Sequence, residues 1–237
     1  MDRNPGSKRK GYWLIAILLV ASVPLVCAGA YQWPDEKAAL THFQDQALAE
    51  KFCPIIVQGD NIKPDPWQIY YRMAQDDSRI FIAYHVAWAY EKDETTGLLA
   101  AVNKVFYTGG LKLQKKIFGP EDIEVIEFVI DKKSGKIARI RYESATVEKV
   151  GEKVKQNHQG KEVKNAEPPT YFETITWNHM FNMLSPGQIN GKKVFKLKPE
   201  YFTQERWDYY KMSKKHKNLL SQDRAHYNWE LLPEKGK

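Results

Sequence analysis

The chain predicts a mainly β domain, an antiparallel β-sandwich flanked by an N-terminal and a C-terminal helix. Three observations carry that expectation. The first is a hairpin pattern from Phe118 to Ala145. Its β-branched run Ile123 to Asp131 leads through the turn residues Lys133-Ser134-Gly135 to a return strand from Lys136 to Glu143. The second is the run Ile80 to Tyr90, apolar on both alternating faces, as a central strand covered on each side must be. The third is aromatic content: 7 Trp, 13 Tyr and 10 Phe in 237 residues favour strands and binding surfaces over long helices.

The hairpin can be read to its register. A three-residue loop with Gly135 in the left-handed conformation pairs Asp131 with Ile137. Ile126, Phe128 and Ile130 then share an apolar face with Tyr142, Ile140 and Ala138. On the reverse face Glu127 stands opposite Arg141, and Val129 opposite Arg139. A slip of one residue would carry arginine into the apolar face, so the pattern selects its own register. Continuing back along that face from Ile126, the next positions are Glu124 and Asp122. Two carboxylates thus enter a face that is otherwise core.

In chain order, Arg3, Lys8, Arg9 and Lys10 precede an uncharged stretch from Gly11 to Trp33. Residues 1–33 read either as a signal peptide cleaved after Ala28-Gly29-Ala30 or as an uncleaved signal anchor in the membrane. Both place residues 34–237 outside the cytoplasm as one extracytoplasmic domain, in the periplasm, in the cell envelope or secreted. Pro34 to Phe52 has helical spacing and reads as the first helix, with His42 at its surface. Trp67 to Met73 and Ile80 to Tyr90 form a second hairpin. Shorter strands are expected at Ala101 to Tyr107 and Leu111 to Ile117. The lysine-rich stretch Thr146 to Lys164 reads as an exposed hairpin or a flexible excursion, with Asn157 to Gly160 as a turn. Thr170 to Trp177 and the basic run Lys192 to Lys198 are further strands, and Pro199 to about Leu220 reads as helix. The last residues, polar apart from Trp229, Leu231 and Leu232, are expected to fray.

Composition narrows the chemistry. Net charge is +7, which permits contact with anionic lipid, glycan or nucleic acid through general electrostatics but names none of them and is read as solubility; no nucleic-acid partner is expected. The two cysteines are Cys27, inside the apolar N-terminal run, and Cys53. They leave the folded part without a disulfide framework or a cysteine zinc site, and Cys53 reads as a buried small hydrophobe. There is no G-x-S-x-G elbow, phosphate-binding glycine loop, H-E-x-x-H pair or dinucleotide fingerprint. What remains is an oxygen-rich set, Asp93, Glu121, Asp122 and Glu124, with His85 and His179 as nitrogen donors. Carboxylates on an apolar face require a cation or hydrogen-bond donors, and a divalent ion, calcium or magnesium, meets that need. The alternative is a strand that frays into solvent at Asp122, its acids simply surface.

Residues from about Ile69 to Ala145 also carry a resemblance. The segments Ile69-Tyr70-Tyr71-Arg72, Ile80 to Tyr84, Trp88 to Asp93 and Gly119-Pro120-Glu121-Asp122-Ile123-Glu124 followed by VIEFVID resemble a pattern in the necrosis- and ethylene-inducing peptide-like cytolysins. The resemblance implies a β-sandwich with surrounding helices, and a divalent cation that helps bind sphingolipid headgroups. Carried over by position, it makes Asp93, Asp122 and Glu124 ligands. Gly119 and Glu121 stand at the family's two histidine positions, and Ile123 replaces its tryptophan.

Three functions follow as expectations. The first is an exported or membrane-tethered binding module, its cation presented to a glycan or lipid headgroup. The second is a non-catalytic accessory subunit of an envelope membrane complex, with other envelope proteins as partners. The third is a metal-assisted hydrolase in which Glu124 or His85 acts as base.

Overall fold

Two apolar clusters on opposite faces of one sheet organise the chain. The structure, a computed structural model, describes residues 40–91, 120–150, 153–213, 225 and 227–231. The expected N-terminal segment 1–33 and the strands at 101–107 and 111–117 lie outside them. No helix among the described residues is long and apolar enough to cross a membrane.

The first elements are β1 (Thr41–Phe43), α1 (Gln46–Phe52), β2 (Ile55–Gln58), β3 (Gln68–Gln75), β4 (Arg79–Trp88) and β5 (Asp122–Asp131). There follow β6 (Ile137–Val150), β7 (Lys153–Lys164), β8 (Tyr171–Thr174), β9 (Phe181–Leu184), β10 (Lys193–Phe195), β11 (Pro199–Tyr201) and α2 (Gln204–Tyr209). The larger sheet runs β1-β3-β4-β5-β6-β7, with β11 also against β3; the smaller runs β10-β2-β8-β9. The fold is mainly β and sandwich-like, as the sequence predicts. Pairing is antiparallel except for β11 on β3 and β2 on β8, which are parallel. β4 is buried along nearly its whole length, as its two apolar faces require.

Between the sheets, Tyr84, Val86 and Trp88 of β4 and Ile126 and Phe128 of β5 pack against Ile56, Phe172 and Phe181. On the far side of the larger sheet, Ala83 and Ala87 leave room for Phe202, Trp207, Tyr227 and Trp229. The C-terminal segment is therefore core rather than fray: Trp229 is 1% exposed. Two buried charges, on the strands either side of β4, hold it. The Arg72 guanidinium donates to the Trp229 carbonyl, and Glu127 accepts from the Trp229 indole at 2.7 Å and from the Tyr227 amide at 3.1 Å.

The organising hairpin keeps the expected register from Ile126↔Tyr142 through Val129↔Arg139, then shifts so that Ile130 meets Ile137. The cause is Asp131. Its carboxylate accepts from the Ser134 amide and hydroxyl, both at 2.7 Å, and its amide donates to the Lys136 carbonyl, which makes a four-residue turn with Gly135 at φ +65. The extra residue is absorbed as a bulge beside Ala138, so both faces survive. Further along, Asn157 to Gly160 is strand rather than turn, because β7 stays paired with β6 through Asn157↔Thr146 to Gly160↔Glu143.

The two helices are shorter than expected. Phe43, at helical spacing from Ala39 and Leu40, lies in β1 opposite Met73, and α1 begins after Asp45, whose side chain accepts from the Leu48 amide at 2.9 Å. At the other end Pro199–Tyr201 is strand, and α2 begins after the Thr203 cap. Among the described residues Cys53 makes no disulfide, and burial pushes its thiol up to about 12.

His42 is half-buried in β1 rather than on a helix surface, its ring edge-on to Trp229 at 6.4 Å. Burial first, and the nearby Arg72 charge second, hold its pKa below the usual 6.5. The unfolded chain therefore takes up this proton first. Stability from this group is complete above pH 6.5 and falls as pH drops below it. Urea midpoints at pH 7.5, 6.5 and 5.5 should decline for the wild type and decline less for His42→Phe; parallel declines would exclude His42 as a source.

Candidate functional site

At the end of the sandwich where β4 finishes and β5 begins, Trp88 lies opposite Asp122 in the ladder. Alternation puts Trp88, Asp122 and Glu124 on the face that meets the smaller sheet, because Trp88 and Ile126 both belong to the inter-sheet cluster. The β8–β9 connection supplies the partner. Its ends are tied by the Ile175 amide to the Met180 carbonyl at 2.8 Å, and the Thr176 hydroxyl accepts from the Met180 amide at 3.0 Å. Within that turn His179 takes φ +57, a left-handed conformation that costs a non-glycine residue about 1 kcal/mol or more.

Two contacts hold His179 there. Its ring stacks on the Trp88 indole, centroids 4.4 Å apart and planes 5° from parallel. Its Nδ1 is 2.6 Å from Asp122 Oδ2. The imidazole is fully buried and the Asp122 side chain is 12% exposed. With Nδ1–H donating to the carboxylate, the neutral ring presents a lone pair at Nε2, and that atom has no hydrogen-bond partner. A buried polar atom without a partner is costly, so its presence calls for a reason.

Behind the stack, Gln58 fixes the indole. Its Oε1 accepts from Trp88 Nε1 at 3.3 Å, while its Nε2 donates to the Ile62 and Pro64 carbonyls at 3.0 and 2.9 Å. A chain of contacts thus runs from the Asp60–Pro66 loop through Gln58, Trp88 and His179 to Asp122. A second histidine–carboxylate pair lies beside it: His158 Nδ1 is 2.6 Å from Glu143 Oε1, and the His158 Nε2 is 3.3 Å from Asn178 Nδ2. Asn178 immediately precedes His179, so one turn touches both histidine rings or their carboxylates.

Of the residues the sequence nominated, Asp122 and His179 meet directly. Glu124 shares their face, partly buried opposite Val86. His85 does not. It points to the far side of β4, edge-on to Phe202 at 5.2 Å and Trp207 at 5.4 Å. Asp93 lies outside the described residues. Glu121 projects to the opposite side from Asp122 and accepts from Trp67 Nε1 at 3.1 Å. Among the described residues, no three histidine, cysteine or carboxylate side chains converge on one point as metal ligands. Gln58, His158 and Asn178 carried no signal in the sequence, since their roles depend on partners that only the fold brings near. Comparisons with protein-family models, with curated proteins and with solved structures gave no match to the chain.

Proposed function

We propose that the domain is an extracytoplasmic binding module in which His179, oriented at Nδ1 by Asp122, and Glu124 hold a divalent cation whose remaining ligands come from the glycan or lipid headgroup it binds. One observation carries this reading: a fully buried imidazole, tied at Nδ1 to a carboxylate and unpartnered at Nε2. Histidines that bind metals commonly donate the other ring N–H to a carboxylate, which sets the tautomer and raises the basicity of the ligating nitrogen. The left-handed backbone at His179 supports the same reading, because strain of that kind persists where surrounding contacts over-determine it. Asp122 then orients the ring through Oδ2, and Glu124 adds an oxygen from the same face. The cation would be calcium or magnesium on the carboxylate side, the imidazole adding a softer donor.

Elemental analysis and thermal unfolding of the full chain in mild detergent test this. One divalent ion per chain is expected, and chelator should lower the melting temperature by roughly 5–10 °C, reversed by calcium or magnesium. Asp122→Asn with Glu124→Gln should abolish both ion and shift. A metal-free wild type, indifferent to chelator, would reject the cation.

The second reading, an accessory subunit of an envelope complex, draws on β6 and β7. Beyond Tyr142 the β6 strand pairs with β7 as far as Val150, while β5 pairs with β6 only from Ile126 to Ile130. A two-stranded ribbon is marginal alone and suits contact with a partner. Co-purification of specific proteins, lost when residues 146–157 are replaced by a short turn, would favour this reading over the first.

A further inference from the structure

We propose that the C-terminal segment is an acid-released strap, in which proton uptake by His42 loosens Trp229 from the larger sheet and uncovers the face beneath it. The proposal is independent of the cation at His179. Residues 227–231 lie against that face but belong to neither sheet, so no strand ladder ties them down. What ties them is mostly charge. Arg72 donates to the Trp229 carbonyl, Glu127 accepts from the Trp229 indole and the Tyr227 amide, and Arg139 donates to the Tyr227 hydroxyl at 3.0 Å. A segment held in this way opens at less cost than the strands under it, and it responds to any new charge set beside its clasp.

His42 is the group that can set one there. It stands opposite Ala74 in the ladder, and alternation along β3 puts Arg72 on the same face. Its ring meets the Trp229 indole edge-on at 6.4 Å, and its Nδ1 is buried with no hydrogen-bond partner. An imidazolium carries N–H at both nitrogens, so one of them is then buried without an acceptor. A second cation also comes to lie near Arg72. The 6.4 Å separation is beyond the roughly 6 Å within which a ring face attracts a cation, so the indole does not offset the cost. Around the clasp, β3 presents Arg72, β5 presents Glu127, already engaged by Trp229 and Tyr227, and the strap itself carries Glu230. Asp208 of α2 and Tyr201 of β11 act on Arg72. Burial and then Arg72 hold the His42 pKa down, and a hydrogen bond with the Met73 backbone opposes them only in part. Opening the strap lets the ring titrate closer to its ordinary 6.5. The closed form therefore loses ground as pH falls below 6.5, by about tenfold for each pH unit between the two values, and the loss levels off below the lower one. Release uncovers Phe81, whose ring Tyr227 meets at 4.8 Å, together with Arg72 and Glu127.

Hydrogen exchange on the full chain in mild detergent, followed from pH 7.5 to 5.0 at the Trp229 indole N–H and at the β4 amides, tests the strap. Each rate is divided by that of His42→Phe at the same pH, which removes the intrinsic pH dependence of exchange. The ratio at Trp229 should rise about threefold or more on acidification, while the ratio at the β4 amides stays constant. His42→Gln, uncharged but of different shape, should follow His42→Phe, so that the effect belongs to the charge. A flat ratio at Trp229 overturns the strap. A rise matched at the β4 amides overturns it too, because the acid opening would then be that of the whole domain.

Discussion

Replacing Arg72 by alanine is expected to destabilise the domain by about 3–5 kcal/mol and to release the C-terminal segment from the sheet. Arg72 is fully buried in β3, and burial lowers its pKa to about 10. Its hydrogen bonds go to the Phe202 carbonyl at 3.0 Å, the Trp229 carbonyl and the Gln204 side-chain oxygen at 3.2 Å. None of these acceptors is a carboxylate. The guanidinium also lies over the Trp207 ring at 3.7 Å, where a desolvated cation gains most from the ring face. Alanine would leave a cavity and strand two buried carbonyls at once. Arg72→Met would fill the cavity and still strand them, so it should recover only part of the loss. Arg72→Lys keeps the charge but not the planar fork that serves three acceptors and stacks on an indole. Urea unfolding at unchanged m-value measures the loss, and proteolysis after residue 213 reports release of the segment. An alanine variant within about 1 kcal/mol of wild type would show that the aromatic contacts alone seat the segment.

The same arginine shows where sequence reading stops. The register of the β5–β6 hairpin was legible because one face is apolar and a slip would bury Arg139 or Arg141; only the bulge escaped, since it depends on Asp131 accepting from Ser134. The C-terminal segment was illegible for the opposite reason. Trp229 is held by groups 157 and 102 residues earlier in the chain, and nothing near it in sequence announces either. Helical spacing from Ala39 to Leu48 was real but local, and the pairing of Phe43 with Met73 overrode it. At the site, alternation alone placed Asp122 and Glu124 on the inner face. It could not supply the turn that carries His179 to Asp122, because a left-handed histidine has no reliable sequence signature.

Trp88→Ala is expected to cost about 3–5 kcal/mol and to remove the cation proposed above while leaving Asp122, Glu124 and His179 in the chain. Trp88 is fully buried, and its ring contacts both Phe181, at 5.8 Å, and the His179 imidazole. Truncation opens a cavity and takes away the plane against which the imidazole is held. The left-handed turn then loses the contact that offsets its strain, and His179 is free to leave Asp122. Trp88→Phe separates packing from positioning. It keeps an aromatic plane and loses the indole N–H to Gln58, a change worth about 1 kcal/mol, so most of the stability and the His179–Asp122 contact should persist. Histidine-ring nitrogen spectra distinguish the cases directly. The wild type and Trp88→Phe should show one His179 tautomer with its proton on Nδ1, and Trp88→Ala should show both tautomers exchanging. If Trp88→Ala keeps the single tautomer and still binds the ion, the turn alone positions the ring and the stack is only packing. If the tautomer is lost and the ion with it, Gln58 and Trp88 are positioning residues for an ion that neither of them ligates.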